Sequence, residues 1–278
     1  QAGRIRIHST DDRATITAQS ANLQAKEVDI TAGNANLNGR ISRHTDRGKA
    51  KVTHQNGVQS RDHQSGSSES YQATRVQTDQ FNVNVGGKLN ISGADIQAKN
   101  SNIRGGNVHL GAEKTVNLRE HSKNQSKGSW YRNEQESNRV ETIHRTTIAG
   151  DSVNIEATKG KVTTEGAKVS AKTTAIYGEQ GVNLRGAKAT TTQTARAEFK
   201  NETARLKTGL SSQDSSVQHY TATELTTEQD LILGGKGDVH LTGVVANVDG
   251  ALLANNSGSL SFGSERSSES YNLSDDMR

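Results

Sequence analysis

The chain has no cysteine and no proline in 278 residues, and only one methionine and one tryptophan. Without cysteine, no disulfide framework and no thiolate metal site can form. Without proline, every residue keeps the backbone N–H that an uninterrupted β-ladder needs. Aromatic residues make up 3% and hydrophobic residues 30%. That is too few large apolar side chains for a wide layered core, which leaves a core one or two side chains across, or disorder. No uninterrupted apolar stretch is long enough to predict a membrane-spanning helix. The 34 basic and 30 acidic residues give a net charge of +4, with the signs interspersed. A nucleic-acid footprint would be clustered, so no nucleic-acid partner is expected. No initiator Met or signal-peptide pattern stands at Gln1, which predicts a fragment of a longer chain.

What the chain does contain is alternation. The stretch FNVNVGGKLNISGADIQAKNSNIRGGNVHLGAEKTVNLR holds six short segments at 81–85, 88–92, 94–98, 101–105, 107–111 and 115–119. Apolar side chains fall at every second position, as in Leu89 and Ile91, Val108 and Leu110, Val116 and Leu118. That is strand periodicity, and disordered polar chains have no reason to keep it. The segments are too closely spaced for crossover helices. They predict a chain that makes a strand, turns a corner, makes another strand, and stacks each coil on the last.

The cassette recurs at 3–39, 81–119, 150–186 and 228–263, separated by polar inserts at 40–79, 120–147, 187–227 and 264–278. Endings at Leu37, Leu118, Leu184 and Phe262 repeat about every 65–80 residues, a mark of repeat architecture. The residues predict an all-β parallel solenoid. Ile5, Ile7, Ile16, Leu23, Val28, Ile30 and Leu37 form the expected inward set of the first cassette. About seven coils of about 20 residues, stacked about 4.8 Å apart, would make a rod of roughly 35 Å. Asn90, Asn117, Asn154 and Asn183, each between two apolar residues, are expected on the outer wall. Asn34 and Asn102 are expected at corners, in inward amide ladders or left-handed turns.

The inserts read as long hairpins protruding from the solenoid. Asn56-Gly57 is a two-residue turn signal, and 65–68 is a second candidate tip. The arms of the second insert, 120–127 and 136–146, are expected to pair across a tip within 127–134. Trp130 and Tyr131 sit at that tip and are the candidate partner-contact residues; the alternative is that they fold back onto the solenoid wall. The segment 195–207 carries a helical stripe (Ala195, Phe199, Leu206), but its flanks favour a β-hairpin with Gly209 near the turn. Residues from 264 onward are expected to fray.

No catalytic, cofactor-binding or metal constellation is expected. None of the nine histidines forms an HExxH or His-x-His pair; His44, His54 and His63 share one insert, and His109 and His240 occupy outward positions of strands. The segment from Gly234 to Leu241 has the wrong spacing for a calcium nonapeptide repeat. Asp29, Asp95, Asp151 and Asp238 do not repeat as a carboxylate pair, as glycoside hydrolysis would want. A carbohydrate-active β-helix enzyme is the second reading, and a trimeric phage tail-fibre solenoid the third.

The segments GGKLNISGADIQAKNSNIRGGNVHLGAEKTVNLREHS and GDSVNIEATKGKVTTEGAKVSAKTTAIYGEQGVNL resemble the haemagglutinin repeats of filamentous-haemagglutinin-type exoproteins, the secreted partners of two-partner secretion systems. They are similar in particular to the second repeat region of contact-dependent growth-inhibition toxins (CdiA-like). The resemblance implies a right-handed parallel β-helix with protruding hairpins. It also implies a non-enzymatic stalk of an adhesin or toxin, secreted to the surface of a Gram-negative bacterium through an outer-membrane partner. Contacts with a target-cell surface protein, glycan or membrane would follow, any catalysis would sit in a separate toxin domain, and a cut solenoid could self-associate through exposed strand edges.

Overall fold

The computed structural model describes residues 2–201 and 207–277. Every regular element among them is a β-strand. Eight coils stack along one axis. The first contributes β1 (Ala2–His8) and β2 (Thr15–Gln19), the second β3 (Asn22–Ala32) and β4 (Asn34–Asn38). Then come the hairpin strands β5 (Arg40–Thr53) and β6 (Gln59–Gln72). The third coil holds β7 (Thr74–Val85) and β8 (Lys88–Ser92). The fourth holds β9 (Ala94–Gly105) and the start of β10 (Asn107–Lys127), which runs on into a hairpin with β11 (Trp130–Arg145). The fifth holds β12 (Thr147–Ala157) and β13 (Val162–Glu165), the sixth β14 (Lys168–Gly178) and β15 (Gly181–Arg185). The third hairpin is β16 (Ala187–Asn201) with β17 (Lys207–Thr221). The seventh coil holds β18 (Thr223–Thr227), β19 (Leu231–Gly235) and β20 (Asp238–Thr242). The eighth holds β21 (Val244–Val248), β22 (Leu252–Asn256) and β23 (Leu260–Gly263), followed by β24 (Ser268–Met277).

Two parallel sheets line the solenoid, one from β1 through β3, β7, β9, β12 and β14 to β21 and β22, the other from β2 through β4, β8, β10, β13, β15 and β20 to β23. In-register stacking puts like residues in columns. One inward column is Ile30, Val83, Ile103, Ile155, Ile176 and Leu233; another is Leu37, Ile91, Leu110, Thr164, Leu184 and Leu241. The aliphatic members are buried, each worth about 1.5–3 kcal/mol when fully removed from water. A lone coil has no neighbour to bury them against, so stability is a sum over adjacent coils. Of the predicted inward set, Val28, Ile30 and Leu37 are fully buried, while Ile5, Ile7 and Ile16 of the first coil and Leu23 of the second are partly buried and pack on the core.

The corner that follows the second sheet explains the alternation of bare and insert-bearing coils. In the odd coils it is turned by one left-handed residue: Ser20, Gly93, Gly166 and Gly243, with φ of 55°, 60°, 67° and 62°. Glycine takes this conformation without a Cβ penalty. In the second, fourth and sixth coils the aligned residues Gly39, Ala112 and Gly186 instead lead into a hairpin. The chain comes back through Thr74, Thr146 and Thr223, all at 0% exposure. Their hydroxyls donate to the carbonyls of Asn38, Gly111 and Arg185 at 2.6, 2.7 and 2.5 Å, the residues at which the chain departed.

Several expectations are corrected. The segment 115–119 is not a coil: the chain leaves the solenoid at Ala112, so Val116 and Leu118 lie in the hairpin part of β10, half-buried. Asn117 is there too, accepting from the Glu69 backbone N–H at 3.2 Å. Asn90, Asn154 and Asn183 do face outward. Asn102 is neither inward nor left-handed but extends an outward ladder, donating to Asn82, which donates to Asp29. Asn34 caps the next coil by accepting from the Lys88 N–H at 2.8 Å. The candidate tip at 65–68 lies within β6, because Asn56-Gly57 already turns the chain, with φ of 81° at Gly57. The strand reading favoured for 195–207 holds where the chain is described, since 195–201 are part of β16; residues 202–206 lie outside the described residues, and Gly209, expected near the turn, sits in β17 opposite Phe199. Residues 268–277 form β24 and pair with β17 instead of fraying.

Candidate functional site

The inserts do not protrude one by one. β6 pairs with β10, β11 with β16, and β17 with β24, all antiparallel. With the three hairpins themselves this gives a seven-stranded sheet in the order β5-β6-β10-β11-β16-β17-β24. The spacing makes it possible. A hairpin leaves every second coil, and two coils rise about 9.6 Å; a hairpin is two strands wide, also about 9.6 Å. The inserts therefore meet edge to edge without strain or gap. An isolated hairpin is marginal in water, and here each has a neighbour.

Few apolar side chains lie in this sheet, and both faces are largely polar. At the roots Tyr71 stacks on His144, ring centroids 4.0 Å apart and 12° from parallel. Tyr71 also donates its hydroxyl to the Gly93 carbonyl, and burial pushes its pKa up to about 12. A Cβ on Gly39 would lie 2.2 Å from the Tyr71 ring. Arg145 ties the next root down, donating to the carbonyls of Gly166, Ala167 and Ala222 and to Glu224. The root network belongs to both solenoid and sheet, so the sheet is held at a fixed angle.

Far from the solenoid the hairpin ends collect Val52, Val58, Trp130, Tyr131 and Phe199. Trp130 and Tyr131 do not fold back on the solenoid wall. They open β11, immediately after the turn at Gly128 (φ 60°), and pair with Lys127 and Lys200. The Tyr131 hydroxyl donates to Glu198 at 2.8 Å, which raises its pKa. Lys51, Arg61 and Lys127 at the same rim have no acidic partner among the described residues. Sequence reasoning found the two aromatics but not their company, because that depends on lateral pairing of three inserts.

The sheet also carries a trough of about 790 Å³ running across its strands. Its floor is the backbone of the cross-strand row Arg47, Ser65, Glu120, Ser137 and Thr194. The walls are the flanking rows, one with Arg119, Asn138 and Gln193, the other with Gln64, His121, Glu136 and Gln213. The trough widens where Gly48, Gly66 and Ala195 interrupt the walls. His121 is held by Asp62 at 2.8 Å and His44 by Asp46 at 2.8 Å. His63 lies in the same sheet, and His54 at the first turn. Among the described residues no group of three or more His, Asp or Glu side chains is placed to hold a metal.

The hemagglutinin repeat family matches residues 34–127 and 126–276. The chain belongs to that family. A hemolysin of Proteus mirabilis is 20% identical over 280 residues, covering 99% of this chain and 18% of the hemolysin. The chain thus spans less than a fifth of that relative. No solved structure matches the chain. The two matched stretches meet inside the second hairpin, at the end of β10 next to its turn.

Proposed function

We propose that this chain is a non-enzymatic stalk segment of a large secreted exoprotein of a Gram-negative bacterium, exported through an outer-membrane partner. The observation that carries the reading is the division of labour within each repeat: two coils extend a stiff spine, and one hairpin adds two strands to a lateral sheet. Lengthening the repeat array lengthens both, with no redesign of either. The polar groups are spread along repeating rows instead of converging on one point, which favours contact over catalysis.

The contact region in this proposal is the hairpin sheet, and its leading edge is the rim of Trp130, Tyr131 and Phe199 among lysine and arginine side chains with no acidic partner among the described residues. Aromatic side chains beside cationic ones suit the anionic, partly apolar surface of a target cell. The Proteus mirabilis relative is named a hemolysin. In our reading this segment would supply reach and contact to such a parent, whether adhesin or toxin.

The test is binding to whole Gram-negative cells. The chain should bind, and the triple variant Lys51→Glu, Arg61→Glu, Lys127→Glu should lose most of that binding while keeping its β-sheet circular dichroism. Equal binding by the variant, or release of new reducing ends when the chain meets a polysaccharide panel, would remove the proposal.

A further inference from the structure

We propose that the transverse trough of the hairpin sheet binds one strand of an uncharged polysaccharide, laid across the hairpins. This rests on reading the sheet as the contact surface, and it names a partner for a second part of that surface.

The carrying observation is a concentration of idle polar groups. Side chains in this sheet commonly pair, as Ser65 does with Glu120 and His121 with Asp62. Yet Gln64, Arg119, Glu136, Asn138, Gln193 and Gln213 all line the trough, and their side chains have no hydrogen-bond or ion-pair partner among the described residues. Four are amides, each able to donate and accept at once. They repeat across adjacent strands, so the trough offers a row of two-way hydrogen-bonding groups.

The chemistry narrows the occupant. An apolar helix or a lipid chain would need apolar walls, and Ala195 is the largest apolar side chain here. An extended peptide adding to the sheet needs free backbone N–H and C=O groups along one strand, but the trough crosses the strands, and of those that floor it only β5, at one end, is unpaired on one side. A polyanion would meet Asp46 and Glu136. A neutral chain of hydroxyl-bearing rings meets none of these objections. Its hydroxyls match the amides, and Arg119 and Glu136 supply charge-assisted bonds at the centre.

Gly48 makes the idea testable without disturbing the fold. A Cβ built there meets nothing within 4 Å, so Gly48→Trp would place its ring in open trough space. The experiment is affinity electrophoresis through gels carrying dextran, a soluble β-glucan or galactomannan, with heparin gels and anionic vesicles as parallel arms. We expect retardation in at least one neutral gel, abolished in Gly48→Trp and reduced at least tenfold in a Gln64→Ala, Gln193→Ala, Gln213→Ala variant. Heparin and vesicle binding should be the same in all three proteins. Passage through every neutral gel unretarded, retardation by heparin alone, or retention undiminished in Gly48→Trp would overturn the proposal. Whole-cell binding through the distal rim is read separately, so failure here leaves the stalk proposal standing.

Discussion

Thr146 and Gly111 close the root of the second hairpin: the Thr146 hydroxyl donates to the Gly111 carbonyl at 2.7 Å and to that of Ile91 at 3.0 Å, with Thr146 fully buried. Thr74 and Thr223 repeat the contact at the other two roots. The threonine takes the place that Ala94 and Ala167 hold in the bare coils. A hydroxyl therefore appears where two chain directions must be pinned together, and a methyl where one corner residue suffices. Thr146→Val keeps shape and branching but removes the donor. It should cost about 1–2 kcal/mol, the scale of a buried hydrogen bond lost. Hydrogen exchange should quicken across 112–145 while the core strands stay protected. Unchanged exchange in that hairpin would show that the root bond does not anchor it.

Thr174 makes the opposite case. It lies in the inward column Val28, Phe81, Ser101, Val153, Thr174, Leu231, is 1% exposed, and its hydroxyl has no partner among the described residues. An unsatisfied buried hydroxyl is a cost that an isosteric methyl removes. Thr174→Val should raise stability by about 1 kcal/mol in urea unfolding. Ser101, in the same column, is also unsatisfied but sits next to Phe81. Its small size leaves the ring room, so Ser101→Leu should destabilise by overpacking.

The spine was legible in the sequence because burial on a parallel ladder demands period 2 and rewards branched aliphatics, and Ile30, Val83, Ile103 and Ile155 obey both. The same rule misled at Val116-Asn117-Leu118, which has the pattern of Val153-Asn154-Ile155 but lies beyond the exit at Ala112. Only the corner distinguishes them, and the sequence marks that corner by Gly39, Gly93, Gly166 and Gly186 but by alanine at 112. The lateral sheet was not legible. Ser, Gln and Asn have no side-chain preference strong enough to announce their neighbours. What pairs β11 with β16 is the equality of two spacings, a property of the assembled solenoid. Trp130 was visible as an aromatic at a tip, while the trough needed residues from six strands.

One corner of the solenoid carries alternating charge. Lys26, Asp79, Lys99, Asp151 and Lys172 occupy successive coils at aligned positions. Lys99 pairs with Asp79 and Lys172 with Asp151, both at 2.8 Å. Such exposed pairs are individually weak, but a shift of register by one coil would bring like charges together, so the ladder favours correct stacking. Lys99→Glu would place three carboxylates in a row. Its melting temperature should fall at low salt and recover towards that of the parent chain as salt screens the repulsion. A deficit independent of salt would point to packing instead.

Acid should weaken the fold in two stages. Burial holds His109 and His144 below the usual histidine pKa, the first beside Thr163 at 2.9 Å, the second stacked on Tyr71. Unfolded, each would take up a proton near pH 6.5. Between that value and the lower folded one the unfolded chain binds more protons, so stability is complete above about pH 6.5 and declines below it. The Arg145 hydrogen bond, with Lys168 near by, keeps Glu224 below the ordinary carboxylate value. Its contribution is complete above the ordinary glutamate value of about 4.3 and fades as pH falls through the lower folded one. Glu113, raised by burial and lying opposite His144, acts the other way and gains as it becomes protonated. The urea midpoint followed from pH 8 to pH 3 should show the histidine step first. His144→Gln should shrink that step and leave the carboxylate step in place; a midpoint flat from pH 8 to pH 5 would rule out the histidine assignment.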